Sequence, residues 1–243
     1  MLKINNLSVG NIVKQVSLSV SEGKVTVLLG ENGSGKTTLL HTLVGAKRYK
    51  GNIYLKNREL REYTSLERAK EIGLMAQILP ETNLSVRQLA EIGRNPYIGG
   101  MGRLSRDDDQ AVHRALELSE MKDMEGRLVS TLSGGERQRA FLAMLLAQDP
   151  SVILMDEPTA YLDPKATQYF CNLIKRFSEK MHKTVLTVMH DPGLAMEIAD
   201  QIVILQNGSV VYADSKEKCL SDGAIERCFS LQRYTVDGRI FYR

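Results

Sequence analysis

Cysteine is scarce in this chain. Three occur in 243 residues, Cys171, Cys219 and Cys228, an odd number, widely spaced and without a C-x-x-C pair. That pattern builds no disulfide framework and fits reduced thiols. Long apolar runs are missing too. The longest, Ala140 to Ala147, has eight residues, against roughly twenty for a spanning helix. Residues Met1 to Asn6 lack the apolar core of a secretion signal. The chain is therefore expected to cross no membrane by itself, and any membrane role to come through a partner. Neither sign of charge dominates: 32 Lys and Arg stand against 29 Asp and Glu, leaving +3 spread along the chain. The basic residues form no stripe with interleaved aromatics, so nucleic acid is not an expected partner. Low-complexity tracts, heptads and internal repeats are also lacking. What remains, at 25% charged and 43% hydrophobic residues, is an ordinary globular composition.

The hydrophobic pattern predicts an α/β fold. Val16 to Val20 alternates apolar and polar, as a half-buried strand should. Val25 to Leu29 is nearly all apolar, the pattern of a strand covered on both faces. A helix is expected from Lys36 to Val44, stopped near Gly45, and a strand over Gly51–Leu55. Thr64 with Glu67 forms a capping box for a helix to about Ile72. The character then changes. Ser85 with Gln88 caps a short helix that Asn95-Pro96 and Gly99-Gly100 break; Ser105 with Asp108 opens an amphipathic helix to about Glu120; another helix follows Ser133. From 151 strands and helices alternate again. Val152–Met155 and Val185–Met189 read as buried strands. Asp163-Pro164 and Asp191-Pro192 each place an acidic N-cap before a first-turn proline. Ile202 to Tyr212 reads as a hairpin turning at Asn207-Gly208. The expected organisation is a core of residues 1–80 and 151–243 with a helical subdomain, about 81–150, inserted in it.

Three segments carry chemistry. Gly30-Glu31-Asn32-Gly33-Ser34-Gly35-Lys36-Thr37 matches G-x-x-x-x-G-K-[ST] between a buried strand and a helix, as a P-loop requires. Glycines let backbone N–H groups converge on phosphate oxygens, and the helix N-terminus adds partial positive charge. Lys36 can neutralise β/γ-phosphates, Thr37 can place its hydroxyl on Mg²⁺, and Thr38 can reach the α-phosphate. Val152 to Met155 ends in Asp156-Glu157, at the strand end where open α/β sheets bind ligands. Asp156 suits Mg²⁺. Glu157, one residue on, can orient or deprotonate water attacking the γ-phosphate. In Leu132-Ser133-Gly134-Gly135-Glu136-Arg137-Gln138-Arg139, Ser133 with Glu136 is a capping box, which leaves the two glycines unexplained. Each can cost up to about 1 kcal/mol in a helix. Something is expected to approach the backbone there, and a phosphate at a helix N-terminus is the natural candidate.

The last segment resembles the signature of ABC (ATP-binding cassette) ATPases, and the family's other motifs appear in order over essentially the whole chain: the P-loop, Gln77, the signature, Asp156-Glu157, Tyr161-Leu162-Asp163 and His190. The resemblance implies a P-loop NTPase cassette: a RecA-like α/β core, an N-terminal antiparallel β subdomain and an inserted α-helical subdomain. It implies ATP and Mg²⁺, and a head-to-tail homodimer sandwiching two ATP molecules. Leu132, Ser133, Gly134, Gly135 and Glu136 would serve the partner copy's site. Gln77 would sense Mg²⁺ and the attacking water, Asp163 would connect the two sites, and His190 would contact the γ-phosphate. One departure concerns adenine. The family often stacks an aromatic on it, but Leu7 to Ile12 offers none, and Val9 is the apolar substitute considered.

Within the family, one P-loop and one signature mark a single cassette. It resembles an importer motor at the cytoplasmic face of the cell membrane, held there by permease subunits and served by an extracytoplasmic substrate-binding protein. Gly93-Arg94-Asn95-Pro96-Tyr97 with Gly102-Arg103-Leu104-Ser105, and the tail Arg233 to Arg239 including Asp237, resemble the siderophore, haem and cobalamin importers. A motor for another small solute, or a soluble cassette of iron–sulfur cofactor assembly, is the alternative.

Overall fold

Strands and helices follow one another from the first residues. The computed structural model describes residues 1–98, 102–160, 162–236 and 238–243; Gly99-Gly100, Tyr161 and Asp237, singled out above, lie outside the described residues. In chain order the elements are β1 (Leu2–Val9), β2 (Val13–Val20), β3 (Val25–Leu29), α1 (Lys36–Leu43), β4 (Lys50–Leu55), β5 (Arg58–Glu59), α2 (Ser65–Glu71), β6 (Ile72–Met75), α3 (Val86–Ile92), α4 (Arg106–Leu118) and α5 (Gly134–Gln148). There follow β7 (Val152–Asp156), α6 (Pro164–Glu179), β8 (Thr184–Val188), α7 (Pro192–Ile198), β9 (Gln201–Gln206), β10 (Ser209–Ser215), α8 (Lys216–Asp222), α9 (Ala224–Phe229), β11 (Arg233–Val236) and β12 (Arg239–Tyr242).

The expected capping chemistry holds. Thr64, Ser85, Ser105 and Ser133 each close a two-way capping box, and Asp163 and Asp191 accept from the third residue of their helices. Helix α3 stops earlier than the Asn95-Pro96 break would require, because Gly93 caps it: a Cβ there would meet the Met144 carbonyl. Helices α8 and α9, seven and six residues long, carry too little periodicity to be read in the sequence.

Two sheets divide the work. The antiparallel sheet runs β2-β1-β4-β5. The larger runs β10-β9-β3-β8-β7-β6, parallel except at β9–β10. Strands buried on both faces explain the unbroken apolar runs. In β3, Val25, Val27 and Leu29 join one core and Leu28 the other; in β7, Ile153 and Met155 divide from Val152 and Leu154 in the same way. The antiparallel sheet and α1 cover one face, with Leu39, Leu40 and Leu43 fully buried. On the other face lie α6, with Phe170 and Phe177 inside, and the mutually packed α3, α4 and α5. Each such side chain contributes roughly 1.5–3 kcal/mol on burial.

Parallel register aligns the strand ends. Met75 pairs with Met155, Asp156 with Val188, and Leu28 with Val188. The residues that follow, Gln77, Glu157, His190 and Gly30, therefore emerge at one edge of the sheet, although up to 160 residues separate them in sequence.

Candidate active site

The chain leaves β3 through Gly30, whose φ of 156° and lack of side chain are both used. A Cβ there would sit 2.3 Å from the Leu205 carbonyl oxygen and 2.7 Å from Ser34 Oγ. Only glycine lets the loop pass this close to β9. The loop then curls over its own lysine: Lys36 Nζ donates to the Gly30 carbonyl at 2.7 Å and the Glu31 carbonyl at 2.8 Å. Burial pulls the Lys36 ammonium pKa below its usual value, against the opposing fields of Glu157, Asp156 and Glu31. The positive charge is thus held at the N-terminus of α1, bonded to two carbonyls and, among the described residues, to no carboxylate.

Facing the loop is a cluster built on Glu157. Gln77 Nε2 donates to Glu157 Oε2, and His190 Nε2 lies 2.5 Å from Glu157 Oε1. Glu157 itself is buried and left-handed, φ 53°, with its amide bonded to the Val188 carbonyl at 3.2 Å. A non-glycine residue in that region stores backbone strain of about 1–3 kcal/mol, and such residues concentrate at functional sites. Here the turn sends consecutive acids in different directions, Glu157 toward Gln77 and His190, Asp156 toward α1.

Asp156 is 1% exposed. Burial raises its carboxyl pKa; the Thr37 hydroxyl lies near enough to oppose the shift, yet neither carboxylate oxygen accepts a hydrogen bond of ordinary geometry among the described residues. An orphaned buried carboxylate beside a hydroxyl is a set of hard oxygen donors. It fits Mg²⁺, which takes one or two protein oxygens and completes its shell with water and phosphate.

Asn32, Gly33, Gly35, Lys36, Thr37 and Thr38 from the loop share one open cavity of about 750 Å³ with Gln77, Glu157, Ala160 and His190. Gly30, Ser34 and Asp156 lie buried beneath it, and Glu31 is exposed at its edge. The structure thus brings together the predicted P-loop, Gln77, Asp156-Glu157 and His190.

It does not bring the signature there. None of Leu132 to Glu136 lines the cavity. Leu132 is buried, Ser133 and Gly134 are exposed, and Glu136 is occupied with the Ser133 amide at 2.8 Å and with Arg127 at 3.7 Å. That capping bond to Ser133, ahead of the Arg127 charge, holds the Glu136 carboxyl below its usual pKa. A Cβ on Gly134 would meet nothing within 4 Å, and one on Gly135 only ordinary contacts with Leu162 and Ala166. Among the described residues nothing requires either glycine. Asp163 caps α6, accepting from the Ala166 amide at 2.8 Å, and is otherwise exposed.

The adenine-side reading needs one correction. Val9 is buried in the core beneath the antiparallel sheet and cannot face a ligand. Ile12 lines the cavity instead, 52% exposed at the β1–β2 turn. Its backbone is wedged against the loop and the β9–β10 turn, within 3.3 Å of a Cβ on Gly35 and 2.1 Å of one on Gly208. The signal available in sequence was an apolar residue at a turn where the alternation calls for a polar one.

Comparisons with known proteins agree with this geometry. Residues 13–160 match the ABC transporter family model. A probable siderophore transport system ATP-binding protein of Bacillus subtilis is 34% identical over 233 residues, 95% of this chain and 84% of that one. The iron(3+)-hydroxamate import ATP-binding protein of the same organism is 32% identical, covering 93% of this chain and 84% of the relative. Among solved structures, an ATP-binding cassette captured as a dimer after hydrolysis, with ADP and phosphate, is 27% identical over 89% of this chain and 99% of its own, with a TM-score of 0.76. The chain belongs to the ABC transporter family, as an ATP-hydrolysing cassette.

Proposed function

We propose that this cassette powers import of an iron(III) chelate. It would work as a head-to-tail homodimer docked on separate permease subunits at the cytoplasmic face of the cell membrane, with an extracytoplasmic binding protein supplying the substrate. The observation that carries the reading is the convergence of Lys36, Thr37, Gln77, Glu157 and His190 on one cavity. The chelate class follows from the siderophore and iron-hydroxamate functions of its relatives.

The geometry of the cavity and the family resemblance support the following roles. Lys36 neutralises the β/γ-phosphate oxygens, the loop amides cradle them, and Thr38 reaches the α-phosphate. Thr37, Asp156 and Gln77 would hold Mg²⁺, which would draw charge from the phosphate oxygens. Glu157 takes the proton of the attacking water as the water oxygen bonds to the γ-phosphorus and the bond to the ADP oxygen breaks. Gln77 and His190 pin both oxygens of Glu157 and so fix the direction of that proton transfer. Each site is completed by Ser133, Gly134 and Gly135 of the second copy, and Asp163 relays between sites. Residues from about 81 to 150 act as an inserted subdomain that carries the signature toward or away from the partner copy.

Affinity purification of the tagged chain from detergent-solubilised membranes tests the assignment. Recovery of integral-membrane permease subunits, with ATPase activity raised by chelate-loaded binding protein, is expected. Recovery of a soluble scaffold protein without a permease overturns the importer reading.

A further inference from the structure

The tail of the chain is tied to the catalytic edge of the sheet. Strands β11 and β12 form an antiparallel hairpin, closed at its base by reciprocal bonds between Gln232 and Arg243 at 2.7 and 3.0 Å. A two-stranded hairpin of this length is marginal alone, so its order comes from docking. One attachment is to the preceding helices: Arg233 pairs with Glu226 at 3.2 Å and donates to the Leu220 carbonyl at 2.9 Å. The other is to α7, where Ile240 and Tyr242 join Leu194 at the margin of the main core.

The α7 contact is close and needs a glycine. A Cβ on Gly193 would stand 2.9 Å from the Ile240 carbonyl oxygen and 3.1 Å from Asp191 Oδ1. The first atom is backbone and cannot swing aside. Gly193 lies in the first turn of α7, Asp191 caps that helix by accepting from the Leu194 amide at 3.0 Å, and the residue before Asp191 is His190. Only Asp191 and Pro192 thus separate the hairpin's carbonyl contact at Gly193 from the imidazole that meets Glu157 at 2.5 Å. Helix α7 is seven residues long, and a helix that short depends on packing for its position.

We propose that the C-terminal hairpin is a positioning element for His190: the Ile240 carbonyl, seated on Gly193, fixes the first turn of α7 and so the approach of His190 to Glu157. This rests on the role given to His190 above. Gly193 and Ile240 touch no reacting atom and act only through that side chain.

The test uses ATP turnover by the full chain, by Gly193→Ala, and by a chain ended after Leu231, each alone and combined with His190→Ala, with thermal melting to confirm folding. The expected result is a fall in kcat of roughly tenfold or more from a displaced catalytic contact, with KM for ATP held within about twofold. In the His190→Ala background the same changes should cost nothing further, because the coupling runs through the deleted side chain. Normal kcat in either folded variant, or a full additional loss on top of His190→Ala, overturns the proposal. If His190→Ala alone keeps normal turnover, the role of His190 has failed and the hairpin's role fails with it; normal loss in His190→Ala with an inert hairpin sinks the hairpin alone.

Discussion

Glu157 has both carboxylate oxygens engaged within the chain, by Gln77 Nε2 at Oε2 and by His190 Nε2, 2.5 Å from Oε1, and the His190 side chain is 46% exposed where that of Glu157 is 10% exposed. The carboxylate is therefore held at both oxygens, and Gln77, Glu157 and His190 all line the cavity.

The signature glycines separate stability from activity. Gly134→Ala adds a Cβ into open space at the first position of α5, and alanine favours the helix by up to about 1 kcal/mol. The melting temperature should hold or rise. ATP turnover should nevertheless fall at least about tenfold, the effect of losing some 1.4 kcal/mol of stabilisation where the partner's phosphate must approach. Melting and steady-state kinetics on one preparation check both; unchanged turnover removes the glycines from the second copy's site.

Asp156 gives the opposite sign from an ordinary paired carboxylate. Burial raises its folded pKa, so its contribution favours the fold at low pH and is lost as pH rises through the folded pKa. Asp156→Asn deletes that dependence. Without metal, the variant should melt no lower than the parent at neutral pH, while the extra stabilisation that Mg²⁺ adds to bound ATP should vanish. Melting curves with ATP, with and without Mg²⁺, decide it. A metal-free loss of several degrees would mean that the carboxylate is structural.

Arg94 anchors the helical block. It donates to Asp108 at 2.9 Å and to the Ala147 carbonyl at 2.6 Å, and lies 3.8 Å over the Tyr97 ring, whose hydroxyl in turn donates to the Gln148 carbonyl at 3.0 Å. Arg94→Ala leaves Asp108 buried without its cation though still bonded to Ser105, a loss at or below the roughly 3–5 kcal/mol of a broken buried pair. Adding Asp108→Asn should recover part of it, since the carboxamide keeps the cap on Ser105 without the charge. Urea unfolding of the two variants measures the difference; no recovery would place the loss in the Tyr97 stacking instead.

What could be read from sequence follows from where the information is local. The P-loop, Asp156-Glu157 and His190 lie at ends of strands whose apolar runs mark them, so element and chemistry are adjacent in the chain. Gly134 and Gly135 were legible only as a local expense without local benefit, and the structure leaves them so. Ile12 was missed because its place depends on the loop at Gly35 and the turn at Gly208 closing over it from distant parts of the sequence. The Gly193–Ile240 contact was beyond reach for the same reason: the tail reads as a hairpin, but nothing in its residues names the helix it covers.

The most direct test of Glu157 as the base that activates water is Glu157→Gln, which preserves shape and the bond from Gln77 while removing the proton acceptor. ATP affinity should be kept, turnover should drop by about 10²–10⁴, and ATP should trap the head-to-tail dimer in size-exclusion chromatography. Near-normal turnover, or a chain that stays monomeric with ATP bound, would contradict it.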